Sequence, residues 1–229
     1  MERDVRFAES EYYHIYNRGV EKRTIFLDAA DYSRMELLLY LCNSETPVKI
    51  REYDRRGIKR ERLWELDIDR PLVGIGAWCL MPNHFHLLLK EIRGGGISRF
   101  MLKLSTAYSM YFNVRYERVG PLTQRPFKAE HVHDDRYFQY LFSYIHLNPV
   151  KLIPREREWQ ERGLRDLSGA KRYLRSFAHS SLADYMGGVR AHRRIISPGD
   201  FPWKFDSIYG MVEEITDWLG RGQDAGRTS

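Results

Sequence analysis

PLVGIGAWCLMPNHFHLLLK, residues 71–90, consists of two β-prone runs around a Met81-Pro82-Asn83 turn. Alternate side chains of a strand share a face, so His84 and His86 point one way while Phe85 and Leu87 point into a core. The stretch predicts a hairpin, with strands over Pro71–Cys79 and His84–Lys90. Upstream, Tyr12–Tyr16 is another β-prone run, closed by the turn-forming Asn17-Arg18-Gly19. A helix follows from about Asp28 to Asn43, with Asp28 or Asp31 as its cap and Tyr32, Met35, Leu38, Leu39 and Tyr40 as its apolar face. Downstream, Gly94-Gly95-Gly96 reads as a flexible joint, because it lacks the Lys-Ser/Thr of a phosphate-binding loop and the spacing of a dinucleotide fingerprint.

The next helix has Ser98 as a candidate cap and Ile97, Phe100, Met101, Leu104, Tyr108, Tyr111 and Phe112 on its apolar face. A short strand over Pro126–His133 then leads to a helix capped by Asp134 or Asp135, which runs to about Asn148 and is ended by Pro149. The order β-α-β-β-α-β plus one helix predicts an α+β fold: a ferredoxin-like βαββαβ antiparallel sheet core with an added helix. Residues 1–153 form this core domain, interrupted at about 46–70 by a charged excursion, read as an exposed hairpin or arm whose deletion from Arg51 to Arg70 leaves the core folded. Residues 154–229 read as a basic, mainly helical C-terminal extension, with helices over Leu164–Phe177 and Met211–Leu219.

With 43% hydrophobic and 30% charged residues in 229, the chain has material for one core and is neither disordered nor fibrous. No run reaches the length of a membrane span, and the charged start MERDVRF is unlike a signal peptide, so a cytoplasmic protein with no membrane partner is expected. Cys42 and Cys79 are too few for a disulfide framework or a Cys-rich zinc site and read as small core residues. From Lys151 to Ile196 eleven Lys or Arg face five Asp or Glu, an excess equal to the +6 of the whole chain. Together with 15 tyrosines and 5 tryptophans, that basic segment suits single-stranded nucleic acid, where cations meet phosphates and rings stack on bases.

Two imidazoles on one strand face offer a two-nitrogen platform for a divalent metal; spacing alone favours two hydrogen-bonded strand histidines, and the apolar surroundings of the pair favour the metal. His131 and His133 are a competing pair, ranked lower because Asp134 and Asp135 beside them already have a capping role. His14, His146, His179 and His192 are isolated and read as structural. On the helix 135–148, Phe138, Leu141, Phe142 and Ile145 make the core stripe, and Tyr140, Tyr144 and Asn148 make a second stripe about 100° round the helix, so Tyr144 and Asn148 are neighbours.

The segments YHIYNRG (13–19), LMPNHFHLLL (80–89) and YIHLNPVK (144–151) resemble the REP-associated tyrosine transposases, relatives of the single-strand insertion-sequence transposases in the HUH endonuclease superfamily. The resemblance covers about residues 10–152, with a weaker likeness in HSSLADYMGG beyond. It implies that His84 and His86 are metal ligands, that Tyr144 is the nucleophile, and that Asn148 takes the third-ligand place, where better-known relatives carry glutamine. It also implies Mg²⁺ or Mn²⁺ as cofactor, and as substrate a single-stranded DNA with a REP-like hairpin, cleaved through a 5′-phosphotyrosine and rejoined. A free tyrosine with pKa about 10 is only about a thousandth ionised at neutral pH, so such chemistry needs a cation on the scissile phosphate.

Asn17, Arg18, Arg125, Lys128 and Lys151 bracket the implied site, and Lys171, Arg172 and Arg175, with Arg193 and Arg194, would hold a hairpin stem. Nucleoid association would follow from DNA binding, and either a monomer or a homodimer is compatible with the reading. The alternatives are a stand-alone HUH nickase and a non-catalytic nucleic-acid-binding regulator on the same sheet.

Overall fold

The computed structural model describes residues 5–47 and 49–202. Strands β1 (Tyr12–Arg18), β2 (Val73–Met81), β3 (His84–Glu91) and β4 (Lys128–Val132) form one sheet in the order β2-β3-β1-β4, and every pairing is antiparallel. That order, with helices between β1 and β2 and between β3 and β4, is the split βαβ arrangement expected from the sequence. Helices α1 (Ala29–Leu41) and α3 (Gly96–Arg115) pack together over the face that buries Ile15, Leu87 and Leu89 completely. Helix α4 (Asp135–Leu147) crosses the opposite face, laying Phe138, Leu141, Phe142 and Ile145 on β2 and β3. Asp28 caps α1 by accepting from the amides of Ala30 and Asp31, and Asp134 caps α4 by accepting from that of Tyr137. Beyond Leu147 the chain tightens into a 3₁₀ turn at Asn148–Leu152 rather than stopping at Pro149, which sits in that turn's first positions, where its missing N–H costs nothing.

The glycine triplet is not a loose joint, and Ser98 does not cap the helix. The fully buried Glu91 does so: its two carboxylate oxygens accept from Gly96 N at 3.0 Å and Ile97 N at 2.7 Å, placing a negative charge at the helix N-terminus. Gly95 holds φ 76°, and a Cβ on Gly96 would lie 2.1 Å from the carbonyl oxygen of Leu72. Both positions therefore require glycine for steric reasons.

The charged excursion contains the short helix α2 (Ile50–Arg55) and a 3₁₀ turn at Arg60–Glu65 in place of a hairpin. It is also anchored, against the expectation of a dispensable arm: Leu63 is fully buried, Trp64 stacks on Tyr40, and the Tyr40 hydroxyl donates to Leu66 O. Removing 51–70 would uncover that part of α1. Both cysteines are free and buried, and burial raises both thiols, as expected of small core residues.

After α5 (Trp159–Arg162) comes α6 (Leu167–Ser176), slightly shorter than the 164–177 helix expected, and then α7 (Leu182–Tyr185). The expected helix at 211–219 lies outside the described residues. Residues 179–181 continue the sheet beyond β2: Leu80 N donates to His179 O and Ser181 N to Trp78 O. The same region pairs with α1 through Glu36, 3% exposed, whose oxygens meet His179 Nδ1 at 2.8 Å and His192 Nε2 at 3.0 Å. Burial alone would raise the Glu36 carboxyl, but the two histidine bonds outweigh it and hold the group at about 2. No helix among the described residues is long and apolar enough to cross a membrane.

Because the Glu36 carboxyl titrates lower in the folded chain than in the unfolded one, its stabilisation is present above about 4.5 and is lost as pH falls toward about 2. Glu36→Gln is expected to cost on the order of 3 kcal/mol at pH 7. In urea titrations against wild type at a series of pH values, that difference narrows below about pH 4.5. Gly96→Ala, which forces a methyl into the Leu72 carbonyl, should lower the urea midpoint by the equivalent of roughly 1–3 kcal/mol with an unchanged slope.

Candidate functional site

The face of the sheet under α4 carries the odd chemistry of this chain. The register sets Tyr16 of β1 opposite His86 of β3, and Arg18 opposite His84, with His14 one pleat further along. His84 and His86 share this face as their spacing requires, while Phe85 and Leu87 are buried on the other. From α4, Tyr144 stands edge-on to both His86 and His14, with ring centroids 5.5 and 6.1 Å away. One turn later the Nδ2 of Asn148 donates to the backbone carbonyl of Tyr144 at 2.9 Å, which fixes the amide beside the phenol.

Each ring of the histidine pair has Nδ1 engaged: His84 Nδ1 with Asn83 Oδ1 at 2.7 Å, and His86 Nδ1 with His14 Nε2 at 2.9 Å. Both Nε2 atoms are left for other work. Burial, helped by the charges of Arg18 and Lys151, lowers His84 to about 4. Burial, with the neighbouring His14 and His84, takes His86 well below its ordinary value. Both imidazoles are therefore neutral at physiological pH, the state in which a ring nitrogen can bind a cation. Burial, followed by the neighbouring Tyr140, raises Tyr144, which the Asn148 amide partly offsets. Burial lowers Lys151, whose ammonium lies 5.5 Å from the Tyr144 ring centroid.

The donor set fits a hard divalent ion through one observation. Asn148 Oδ1 is buried with no hydrogen-bond partner, an arrangement that is costly unless something positive meets that oxygen. Among the described residues no group of three His, Cys, Asp or Glu side chains could hold a metal, so the third protein donor that this site can offer is the amide oxygen of Asn148. Two imidazoles and one amide leave coordination positions open.

His131 and His133 do not join this site. His131 pairs with Tyr13 on the opposite face and bonds Glu11 at 2.8 Å, and His133 meets Asp134 at 3.1 Å. Asn17 is also turned away: it is 5% exposed, and its amide is spent on Gln124 O and Arg18 N. With Arg125 it lines an open cleft of about 350 Å³ against α3. Arg18 and Lys151 flank the histidines, and Lys128 lies 5.9 Å from the Tyr16 ring centroid at the rim. Lys171, Arg172 and Arg175 lie on α6, which packs against the 148–152 turn. Arg193 and Arg194 are tied into the fold through Asp184 O and the Tyr40 hydroxyl.

His14 is the residue that sequence reasoning missed, since it looks isolated along the chain. With it come Tyr16 and Glu130, joined at 2.8 Å. The available signal was parity: His14 and Tyr16 occupy alternate positions of a strand, as His84 and His86 do.

Residues 68–150 match the family model described as "Transposase IS200 like". Over those residues, about a third of its length, the chain is similar to the IS200-like transposases. That segment runs from just before β2 into the 3₁₀ turn and holds His84, His86, Tyr144 and Asn148, whereas β1, with His14, lies outside it. A solved structure described as "Structure of the REP associates tyrosine transposase bound to a REP hairpin" is similar to this chain at 14% identity, covering 89% of this chain and 92% of that one, with a TM-score of 0.49. No curated protein matches.

If the unpartnered oxygen of Asn148 is a cation donor, Asn148→Ala should barely change the metal-free melting temperature, because the bond lost to Tyr144 O is offset by relief of a buried orphan. The rise in melting temperature that millimolar Mn²⁺ gives to wild type should shrink in the variant. An equal rise in both proteins excludes Asn148 as a ligand.

Proposed function

We propose that the protein is a metal-dependent single-stranded DNA endonuclease and strand transferase that cuts hairpin-associated DNA through a 5′-phosphotyrosine on Tyr144. The observation that carries this reading is the gathering, around one phenol, of two imidazoles whose Nδ1 atoms are already engaged and one unpartnered amide oxygen, inside the segment similar to the IS200-like transposases. His84, His86 and Asn148 would hold Mg²⁺ or Mn²⁺, which when bound polarises the scissile phosphate and offsets the charge that develops on it.

The rest belongs to the chain. Lys151 and Arg18 bring positive charge to the phosphate, and α4 holds the Tyr144 ring edge-on to His86. Attack forms the bond from the Tyr144 oxygen to phosphorus and breaks the bond from phosphorus to the 3′-oxygen. The phenolic proton is lost as the 3′-oxygen gains one. A second 3′-hydroxyl reverses the step, so rejoining needs no outside energy source. Lys128, Arg125 and the α6 cations Lys171, Arg172 and Arg175 would meet the backbone of a hairpin and add salt-dependent affinity. Work on DNA in this way fits a cytoplasmic, nucleoid-associated protein.

The test uses labelled hairpin-bearing single strands from both flanks of the gene, run on denaturing gels with and without Mg²⁺ or Mn²⁺. Wild type is expected to give a metal-dependent covalent adduct, and Tyr144→Phe to bind the hairpin equally well and give none. Tight binding with no adduct from wild type in either metal would assign a non-catalytic binder instead.

A further inference from the structure

His14 is 5% exposed and lies between two partners on different strands: its Nε2 is 2.9 Å from His86 Nδ1, and its Nδ1 is 3.7 Å from Glu130 Oε2. Glu130 in turn accepts from the hydroxyls of Tyr16 at 2.8 Å and Tyr137 at 3.1 Å. We propose that His14, backed by Glu130, is a positioning residue that fixes the tautomer and the aim of His86. The inference rests on the metal site just proposed.

With each ring carrying a single proton, the proton in the 2.9 Å contact has two possible owners. If it belongs to His86 Nδ1, the Nε2 of His86 keeps its lone pair toward the site, and His14 carries its own proton on Nδ1, facing the Glu130 carboxylate. If it belongs to His14 Nε2, neutral His86 is protonated on Nε2 and cannot ligate there, while the bare lone pair of His14 Nδ1 faces a carboxylate. Attraction in the first arrangement and repulsion in the second select the ligating tautomer. The two hydroxyls hold the carboxylate in place, so the selection is built in before a cation arrives.

This arrangement differs from that of His84, whose partner Asn83 is its neighbour in sequence. The His86 chain runs across β3, β1 and β4, and it ties the aim of one ligand to the strand that leads into α4. Loss of such an outer partner generally weakens metal binding by about 10–100-fold.

The experiment is an Mn²⁺ titration of the full chain without DNA, with free Mn²⁺ read by electron paramagnetic resonance. His14→Ala and Glu130→Gln are expected to weaken binding by about tenfold or more. His14→Gln, whose side-chain oxygen can accept from His86 Nδ1–H, should recover most of the loss, which a purely structural role for His14 would not predict. His86→Ala should abolish the site, and His131→Ala, on the other face, should leave it unchanged. If His14→Ala fails to fold, the isosteric Glu130→Gln and the His14→Gln rescue decide the matter. Wild-type affinity in both Glu130→Gln and a folded His14→Ala overturns the positioning role and leaves the metal site standing. No Mn²⁺ binding by wild type overturns the metal site and the positioning role together.

Discussion

The register of β1 against β3 is the constraint on which the rest depends. Tyr16 faces His86 and Arg18 faces His84, so the polar members of both strands fall on one side of the sheet and Ile15, Phe85, Leu87 and Leu89 on the other. A slip of one residue would drive the imidazoles into the packing of α1 and α3 and turn leucines toward α4, a change no nearby contact could compensate. The register is held from the other end of β3 as well, because Glu91 spends its buried carboxylate on the first amides of α3. The strand that presents the histidines is thus pinned at one end by a helix cap and at the other by the tight turn at Pro82-Asn83.

The site is assembled at some cost to the fold around it. Asn148 keeps a buried oxygen without a partner, and two imidazoles sit among apolar neighbours with Arg18 and Lys151 close by. A core chosen for stability alone would have apolar residues at these positions. The compensation comes from elsewhere on the sheet: His146 at the end of α4 bonds both Phe142 O and Ser181 Oγ, which locks the helix against the strand-like segment added beyond β2.

Periodicity made most of this legible in the sequence. The hairpin, the two stripes of α4, the capping aspartates and the strand order follow from alternation, helical spacing and turn residues, and the structure has all of them. What the sequence hid depends on contacts between distant segments. His14 looks isolated because its partners lie 72 and 116 positions away, and only the sheet brings them together. Gly95 and Gly96 look like a joint because the carbonyl that excludes a side chain belongs to Leu72. Asn17 sits beside Arg18 in sequence, yet strand parity turns it to the other face, opposite Phe85. The excursion's charges disguise the apolar side chains that anchor it, Leu63 fully buried and Trp64 stacked on Tyr40.

The pairing of Glu36 with His179 and His192 also bears on how the chain is made. Synthesis runs from the N-terminus, so α1 and the whole sheet leave the ribosome before either histidine exists. Until then the helix carries a carboxylate on a surface meant for burial, with no partner to meet it. The last part of the sheet's flank therefore closes late, and a chain cut short after Lys151 would keep His84, His86, Tyr144 and Asn148 and still lack the clasp that holds its first helix in place.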